Sequence, residues 1–451
     1  MAGSIQGRVL SIPNEEIMGG ELGILMGGAR IAAAEGSEAM WFNPAGLAQE
    51  RGRLITAGGV FLQYQVTSLE AESRNQFDTG PGSFSFVEGI SKGRRYPRFS
   101  YGVSLAQTSD DALGAVIRDE RLGSAGSLPF GLGNAAGIDT DFPGGIQVSE
   151  FSDGSGLHSV VSTSVGLGVA FSQWLRLGVS IRLERLRMAQ SNSTALDLSG
   201  TAATNTLVGQ SLTDWMIEGQ LERLVLMMGL QLEISSRFSL GATLKRPSKT
   251  LGGSGSVRLH HNSRLVINRD ALETRSSNVV WMDEANLPFQ LQTPQVFRIG
   301  ISFKSDWIVM ALDLASTREQ GAYEVFPPVE SRSPSTTAAR LNAITTSGAR
   351  ALKISIGVAV LLTERTSWLA GVVLDESPVP FDDPVFRKVD LTTYSVGIYH
   401  VRGRLSGSAG LSLSEAEERT VLFPALEGGD SIQRRVRFTR IGIQIGGSLA
   451  F

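Results

Sequence analysis

Arg440-Ile441-Gly442-Ile443-Gln444-Ile445-Gly446-Gly447-Ser448-Leu449-Ala450-Phe451 puts Ile441, Ile443, Ile445, Leu449 and Phe451 on one parity and Arg440, Gln444 and Ser448 on the other. Successive side chains of a strand point to opposite faces, so the stretch reads as a β-strand with one apolar face. The pattern returns in Leu352, Ile354, Ile356, Val358 and Val360, alternating with Lys353, Ser355, Gly357 and Ala359, and again in Val161, Val165, Leu167, Val169 and Phe171. In Leu175, Leu177, Val179, Ile181 and Leu183 the opposite face carries Arg176, Arg182 and Glu184. One face is greasy and the other is small or charged.

A soluble sandwich alternates too, so the connections must decide. A transmembrane barrel has short periplasmic turns and longer extracellular loops. Strands 158–171 and 175–188 are joined by Ser172-Gln173-Trp174, those near 217–234 and 238–259 by Ser235-Ser236-Arg237, and 292–304 and 306–318 meet at Ser305. Strands 349–362 and 366–376 meet near Thr363-Glu364-Arg365, and 391–401 and 404–415 at Arg402-Gly403. Between these hairpins lie polar segments, 189–216, 260–291, 319–348, 377–390 and 416–433, read as long loops. Phe171, Trp174, Phe238, Phe303, Trp307, Trp368 and Phe451 gather at the short-turn end, as an interfacial girdle does. The expected fold is all-β: a transmembrane antiparallel β-barrel over residues 51–451, in the bacterial outer membrane. With the last strand ending in the periplasm, 54–67 runs outward, 98–108 inward, and a third, outward strand must lie between 109 and 157, for a total of about fourteen. That interval is rich in Gly and Asp, so its strand should be irregular or kinked.

The 451 residues include 52 Gly and 16 Pro but no Cys, and the net charge is −3. Structural disulfides and thiolate metal sites are excluded, and interspersed charge gives no footprint for nucleic acid. No stretch approaches the ~20 consecutive apolar residues of a membrane helix; Leu224 to Leu230 is the strongest candidate. Met1-Ala2-Gly3-Ser4-Ile5-Gln6 lacks the basic and apolar regions of a secretory signal, which an exported barrel needs, so the expectation is that the signal has been removed or replaced. Gly89-Ile90-Ser91-Lys92-Gly93 spells a nucleophile elbow without its strand-to-helix setting, and Gly131-Leu132-Gly133 with Ala136 lacks a βαβ unit. His260 and His261 would point to opposite faces of a strand, which disfavours a metal site. No cofactor, metal or enzymatic activity is expected.

Residues 1–50 do not read as a barrel strand. They end in Met40-Trp41-Phe42-Asn43-Pro44-Ala45-Gly46-Leu47, a turn flanked by the apolar Phe42 and Leu47. Gly28-Ala29-Arg30 followed by this Asn-Pro-Ala-Gly-Leu resembles the plug segment of the outer-membrane long-chain fatty acid transporter family (FadL/TodX-like channels), whose relatives also carry aromatic hydrocarbons. Leu287-Pro288, Pro294 and Phe297-Arg298-Ile299-Gly300-Ile301 resemble the same family ahead of a strand, short turn and strand. Asp375-Glu376-Ser377-Pro378-Val379-Pro380 resembles its Asp-Ser-Pro-Val-Pro loop, with Glu376 inserted.

The resemblance implies a fourteen-stranded barrel closed by an N-terminal plug over residues 1–50, through which hydrophobic molecules move passively. Extracellular loops capture the ligand, a lumenal pocket holds it, and it leaves through a lateral gap beside a kinked third strand. Family pockets are apolar with a basic group for a carboxylate; the predicted lumen offers Arg176, Arg182, Arg298, Lys304, Lys353 and Arg440. Arg182 and Arg298, with Trp281 and Met282 of the greasy run 279–282, are the candidate ligand contacts, and Asn43, Pro44, Ala45 and Gly46 the candidate gate. An Asx-type hydrogen bond from Asn43 and the fixed φ of Pro44 would hold that turn. Expected partners are outer-membrane lipid and a hydrophobic small molecule. The alternative is a structural barrel whose loops dock a partner protein in a secretion or surface-attachment complex; a general porin is disfavoured by the plug.

Overall fold

The alternation becomes one continuous antiparallel ladder. The structure is a computed structural model, and it describes residues 22–69, 72–78, 82–90, 96–112, 116–123, 146–202, 205–269, 272–330, 340–341, 343–380, 388–423 and 432–451. The first strands are β1 (Arg53–Leu69), β2 in two pieces (Glu72–Asp78 and Gly82–Gly89), β3 (Arg98–Ala112), β4 (Ile146–Ala170), β5 (Leu175–Ala202) and β6 (Asn205–Glu233). Next come β7 (Phe238–Lys245 and Lys249–Arg269), β8 (Leu272–Pro288 and Val296–Lys304), β9 (Ile308–Thr317) and β10 (Ala351–Thr363). The last are β11 (Thr366–Asp375), β12 (Leu391–Arg402), β13 (Leu405–Phe423) and β14 (Ile432–Ala450). Each pairs with its sequence neighbours, and β14 returns to β1 from Leu54↔Ala450 to Leu69↔Val436, closing a 14-strand transmembrane barrel. Closure leaves no open edge, which a lipid environment requires.

Local chemistry fixes the short turns. Ser172 Oγ accepts from the N–H groups of Trp174 and Leu175, Ser235 Oγ from Arg237 and Phe238, and Thr363 Oγ1 from Arg365 and Thr366. Gly403, with φ +65°, supplies the left-handed residue at the Arg402 turn.

The first strands differ from the sequence expectation. The missing strand is the second, Glu72–Gly89, not one beyond residue 109; its pieces pair with the upper and lower parts of β1. The strand at 98–108 is therefore the third and runs parallel in sense to β1, opposite to the direction expected. It pairs without a register shift along β4, from Arg98↔Ala170 to Ala112↔Gly156. The interval 109–157 continues the third and fourth strands, Val116–Gly123 pairing with Ile146–Asp153, while 113–115 and 124–145 lie outside the described residues. The second strand is described as Glu72–Asp78 and Gly82–Gly89, and residues 79–81 lie outside the described residues.

Most of the segments read as long loops are strand as well. Residues 189–202 and 205–216 belong to the β5–β6 ladder, which pairs from Leu175↔Leu232 to Ala202↔Asn205, and β7 and β8 pair up to Arg269↔Leu272. The reason is visible on β5. Leu177, Ile181 and Leu183 face outward, then Arg185 and Arg187 take the same face, Arg185 2.7 Å from Glu222 of β6. Residues Leu175 to Leu183 at ~3.4 Å each, tilted ~40°, span ~21 Å, close to the ~25 Å apolar band of such barrels. Above Arg185 the ladder continues in water, where a polar outer face is the stable one. The wall over β4–β8 thus rises well beyond the lipid belt.

Candidate functional site

Residues 22–50 lie within the barrel as turns and short 3-10 helices, Gly36–Met40 and Pro44–Gln49, nearly all buried. They fit because the wall beneath them is glycine. A side chain at Gly178 would collide with Pro44, at Gly229 with Asn43, at Gly168 with Ala48, at Gly241 with Ile31, at Gly357 with Met26 and at Gly371 with Gly27. Several pair across neighbouring strands, among them Gly168↔Gly178, Gly178↔Gly229, Gly241↔Gly300 and Gly357↔Gly371, so the seat is a belt around the inner wall.

The segment is tied to that belt by hydrogen bonds. Asn43 Oδ1 accepts from Ala45 N–H at 3.2 Å, the expected Asx contact, and its Nδ2 donates to Ile31 O at 2.7 Å and to Leu230 O of β6 at 3.0 Å. Gln231 donates to Ala34 O at 3.0 Å, Ile31 N–H to Asp313 Oδ2 at 2.8 Å, and Ser395 Oγ to Leu25 O at 3.1 Å. Within the segment, Arg30 and Glu38 form a buried ion pair at 2.7 Å, and Glu38 also accepts from the N–H groups of Leu22 and Gly23. The guanidinium of Arg182 lies 4.5 Å from the centre of the Trp41 ring.

Above the segment the lumen changes character. Leu186, Met188, Trp215, Ile217, Leu221, Val257, Leu259 and Met282 of the tall wall pack with Phe289 and Leu291 and with Val325, Phe326 and Val329 into one apolar cluster. Phe289 and Phe326 stack with ring centres 5.0 Å apart, given room by Gly219, Gly253 and Gly255. Part of 319–348, expected to be an outer loop, folds inward instead: Gln320–Phe326 pairs with Ile344–Gly348, and Gln292 N–H donates to Tyr323 Oη at 3.1 Å. Its apolar residues leave water by filling the chamber, which explains the departure.

Beside the cluster lies a cavity of about 140 Å³, lined by the apolar Leu291, Val296, Leu352 and Val379, by polar residues such as Gln292, Thr293 and Tyr323, and by the charged Arg223, Lys245, Lys353, Asp375 and Glu376. Arg223 Nε donates to Glu184 Oε2 at 2.7 Å, and Glu184 Oε1 is 3.4 Å from Arg182; Lys353, also at the cavity, is 2.7 Å from Asp375. Removing one partner of such a buried pair costs about 3–5 kcal/mol, so these charges hold one another in place.

The sequence-predicted residues separate by height and by face. Asn43, Pro44, Ala45 and Gly46 form the start of the second 3-10 helix, with Gly46 tight against Ala34 O. Arg182 stands at the segment rather than in the chamber, and Arg298 is half-buried on the inner wall level with Thr243 and Ala315. Met282 belongs to the chamber cluster, whereas Trp281 is 56 % exposed on the outer face, its ring 5.4 Å from that of His260. Adjacent strand residues face opposite ways, so this pair cannot share a pocket. Arg223, Lys245, Phe289, Phe326 and the glycine belt were not singled out from sequence. Glycines recurring at matched heights in successive strands are the signal that could have found the belt.

The fold and lumen define a class: a closed 14-strand transmembrane barrel with an N-terminal segment buried inside it. No protein-family model matches the chain, and no curated protein matches it in sequence. Its structure is similar to the toluene transporter TodX of Pseudomonas putida, with TM-score 0.56 at 15% identity over 99% of this chain and 100% of that one. It is also similar to the monoaromatic hydrocarbon channel CymD, with TM-score 0.58 at 14% identity over 97% and 98% of the two chains. A FadL homologue of Pseudomonas aeruginosa gives TM-score 0.52 at 13% identity over 99% and 100%. At such identities the likeness is one of fold, and the fold is the one the sequence resemblance implied. TodX is described as a transporter and CymD as a channel.

Proposed function

We propose that this chain is an outer-membrane channel through which hydrophobic small molecules pass passively, and that residues 1–50 are its plug. The observation that carries the reading is a lumenal cavity beside an apolar cluster, stacked above a segment seated on a glycine belt. The apolar part of such a lining takes up a poorly soluble ligand at about 25 cal/mol per Å² buried. The segment below is held by apolar packing and by hydrogen bonds worth about 1 kcal/mol each, and not by a strand ladder, so it is a closure that can yield. TodX is a toluene transporter and CymD a monoaromatic hydrocarbon channel; Arg223 and Lys245 at the cavity favour a ligand with an acidic head here, such as a long-chain fatty acid.

The gate is the turn Asn43-Pro44-Ala45-Gly46. Replacing Asn43 with Ala removes the contact to Ala45 and those to Ile31 and Leu230, a loss of about 0.5–2 kcal/mol for the cap alone. The barrel, held by its ladder, should reach the membrane at normal levels. Uptake of a fluorescent fatty acid by cells lacking other transporters should change; unaltered uptake together with normal assembly would count against the gate. The second reading, a scaffold that docks a partner protein, is favoured by one observation, the tall wall whose outer face carries charged and aromatic residues such as Asp214, Arg258, Asp283 and Trp281.

A further inference from the structure

On the outer wall over β7–β10 the apolar face ends in a row of cations. Leu244, Phe297 and Leu352 face outward at matched heights, Leu244 paired with Phe297, and Ser316 standing between Phe297 and Leu352. Two residues further from the short turns come Arg246, Gln295, Arg318 and Arg350. The pairs Val296↔Lys245, Val296↔Thr317 and Thr317↔Ala351 align them, and Arg318 N–H donates to Gln295 O at 2.9 Å. Lys245, Val296 and Ala351 are buried on the lumen side, so strand parity puts the row on the outer face, where its three arginines are exposed, as is Lys249 just beyond Arg246. From Phe303 of the aromatic girdle up to Gln295, at ~3.4 Å a residue and ~40° of tilt, is ~21 Å, so the row stands at the upper edge of the apolar belt. Other outward arginines have carboxylates: Arg185 lies 2.7 Å from Glu222, Arg258 3.3 Å from Asp283 and Arg437 3.7 Å from Glu417. Among the described residues Arg246, Lys249, Arg318 and Arg350 have no ion-pair partner, and Glu376, the carboxylate beside Leu352, gives Oε2 to the N–H of Leu352 at 2.9 Å.

We propose that this row binds the headgroup of an outer-leaflet lipid carrying two phosphates. Neighbouring strands lie ~4.8 Å apart, so Arg318 and Arg350 are like charges side by side, an arrangement that is destabilising until an anion joins them. Guanidinium takes phosphate through paired N–H groups, and one phosphate bridges these two arginines. From Arg350 to Arg246 is three strand intervals, ~14 Å, which leaves Arg246 and Lys249 for a second phosphate. The occupant is a lipid because the row continues the lipid-facing belt: with the phosphates on the cations, the acyl chains lie against Leu244, Phe297 and Leu352 directly below. A lipid with a single phosphate engages one end of the row only. The inference rests on the outer-membrane placement with the tall rim outward, and it is independent of what passes through the lumen.

Binding is measured by native mass spectrometry of the full chain in a neutral detergent, titrated with diphosphoryl lipid A, monophosphoryl lipid A and phosphatidylglycerol. Diphosphoryl lipid A should form a one-to-one adduct about 25-fold tighter than either single-phosphate lipid, the scale of two further cations at about fivefold each. Arg318→Gln with Arg350→Gln should weaken that adduct by about the same factor. Arg185→Gln with Arg437→Gln, which removes paired cations elsewhere on the outer face, should change it less than about twofold, as rim-exposed pairs contribute little. Heat-modifiability checks that each variant is folded; if the first pair fails it, Arg246→Gln with Lys249→Gln asks the same question at the other end of the row. Equal affinity for the three lipids overturns the site. So does diphosphoryl binding that the row variants leave unchanged, or that the row and control variants weaken alike. Fatty-acid flux through the same folded variants should match the parent, so that loss of the lipid site and loss of the transport reading are told apart.

Discussion

Gly229 and Asn43 meet with no room for a side chain between them, and that contact ranks the strength of the wall against that of the N-terminal segment. A Gly229→Val change forces methyl groups into Asn43 and Pro44, an overpacking of about 1–3 kcal/mol. Something must move. β6 is paired on both sides here, to β5 and to β7, whereas the segment has no ladder and is held by side-chain packing and scattered hydrogen bonds. The segment should therefore shift while the barrel stays intact, seen as normal heat-modifiable protein with raised sensitivity to small polar antibiotics. Gly252→Ala, which meets nothing nearby, is the silent control. Unchanged sensitivity in a folded Gly229→Val barrel would mean that the seat does not govern closure. The Asn43 contact was legible because Asn-Pro has few local solutions. The belt was not, since a strand glycine read alone signals only weakness.

Alternation was readable in β5, β10 and β14 because lipid selects for an apolar outer face along their spanning parts. It failed higher up for an equally physical reason: the phase reverses. On β5 the outward Leu177, Ile181 and Leu183 give way to outward Arg185 and Arg187, while the apolar residues Leu186, Met188, Leu196 and Leu198 now point inward. Water outside and an apolar chamber inside exchange the two faces without ending the strand. A reader expecting one phase sees the pattern stop and writes a loop. The tall end is expected to be the extracellular one, so a protease site placed beside Leu272, 76 % exposed at the top of the β7–β8 hairpin, should be cut on intact cells. A site in the Arg402-Gly403 turn should be protected until the outer membrane is opened. The reverse pattern would invert the orientation. On the lipid face itself, Ile181→Arg should cost about 2–4 kcal/mol and lower the folded fraction in membranes, whereas Arg187→Ile, above the belt, should not lower it.

At the scale of the molecule, closure came from counting: an even number of strands with alternating connections permits a barrel, and β1 pairing with β14 completes it. The count held although one strand was misplaced, because parity constrains number and leaves position free. The apolar cluster was out of reach, since Leu186, Phe289 and Phe326 lie far apart in sequence and converge only when a connection folds inward. The proposed channel pairs an apolar compartment with a plug formed by the buried N-terminal segment, and a transport measurement addresses that pairing most directly. Purified chain and a variant lacking residues 1–46 are placed in proteoliposomes, and flux of a fluorescent long-chain fatty acid is compared with that of a small polar dye. The intact chain should raise fatty-acid flux above empty vesicles and hold back the dye, while the shortened chain should pass both. An intact chain that passes the dye freely, or raises fatty-acid flux no further than empty vesicles do, would contradict a plugged hydrophobic channel.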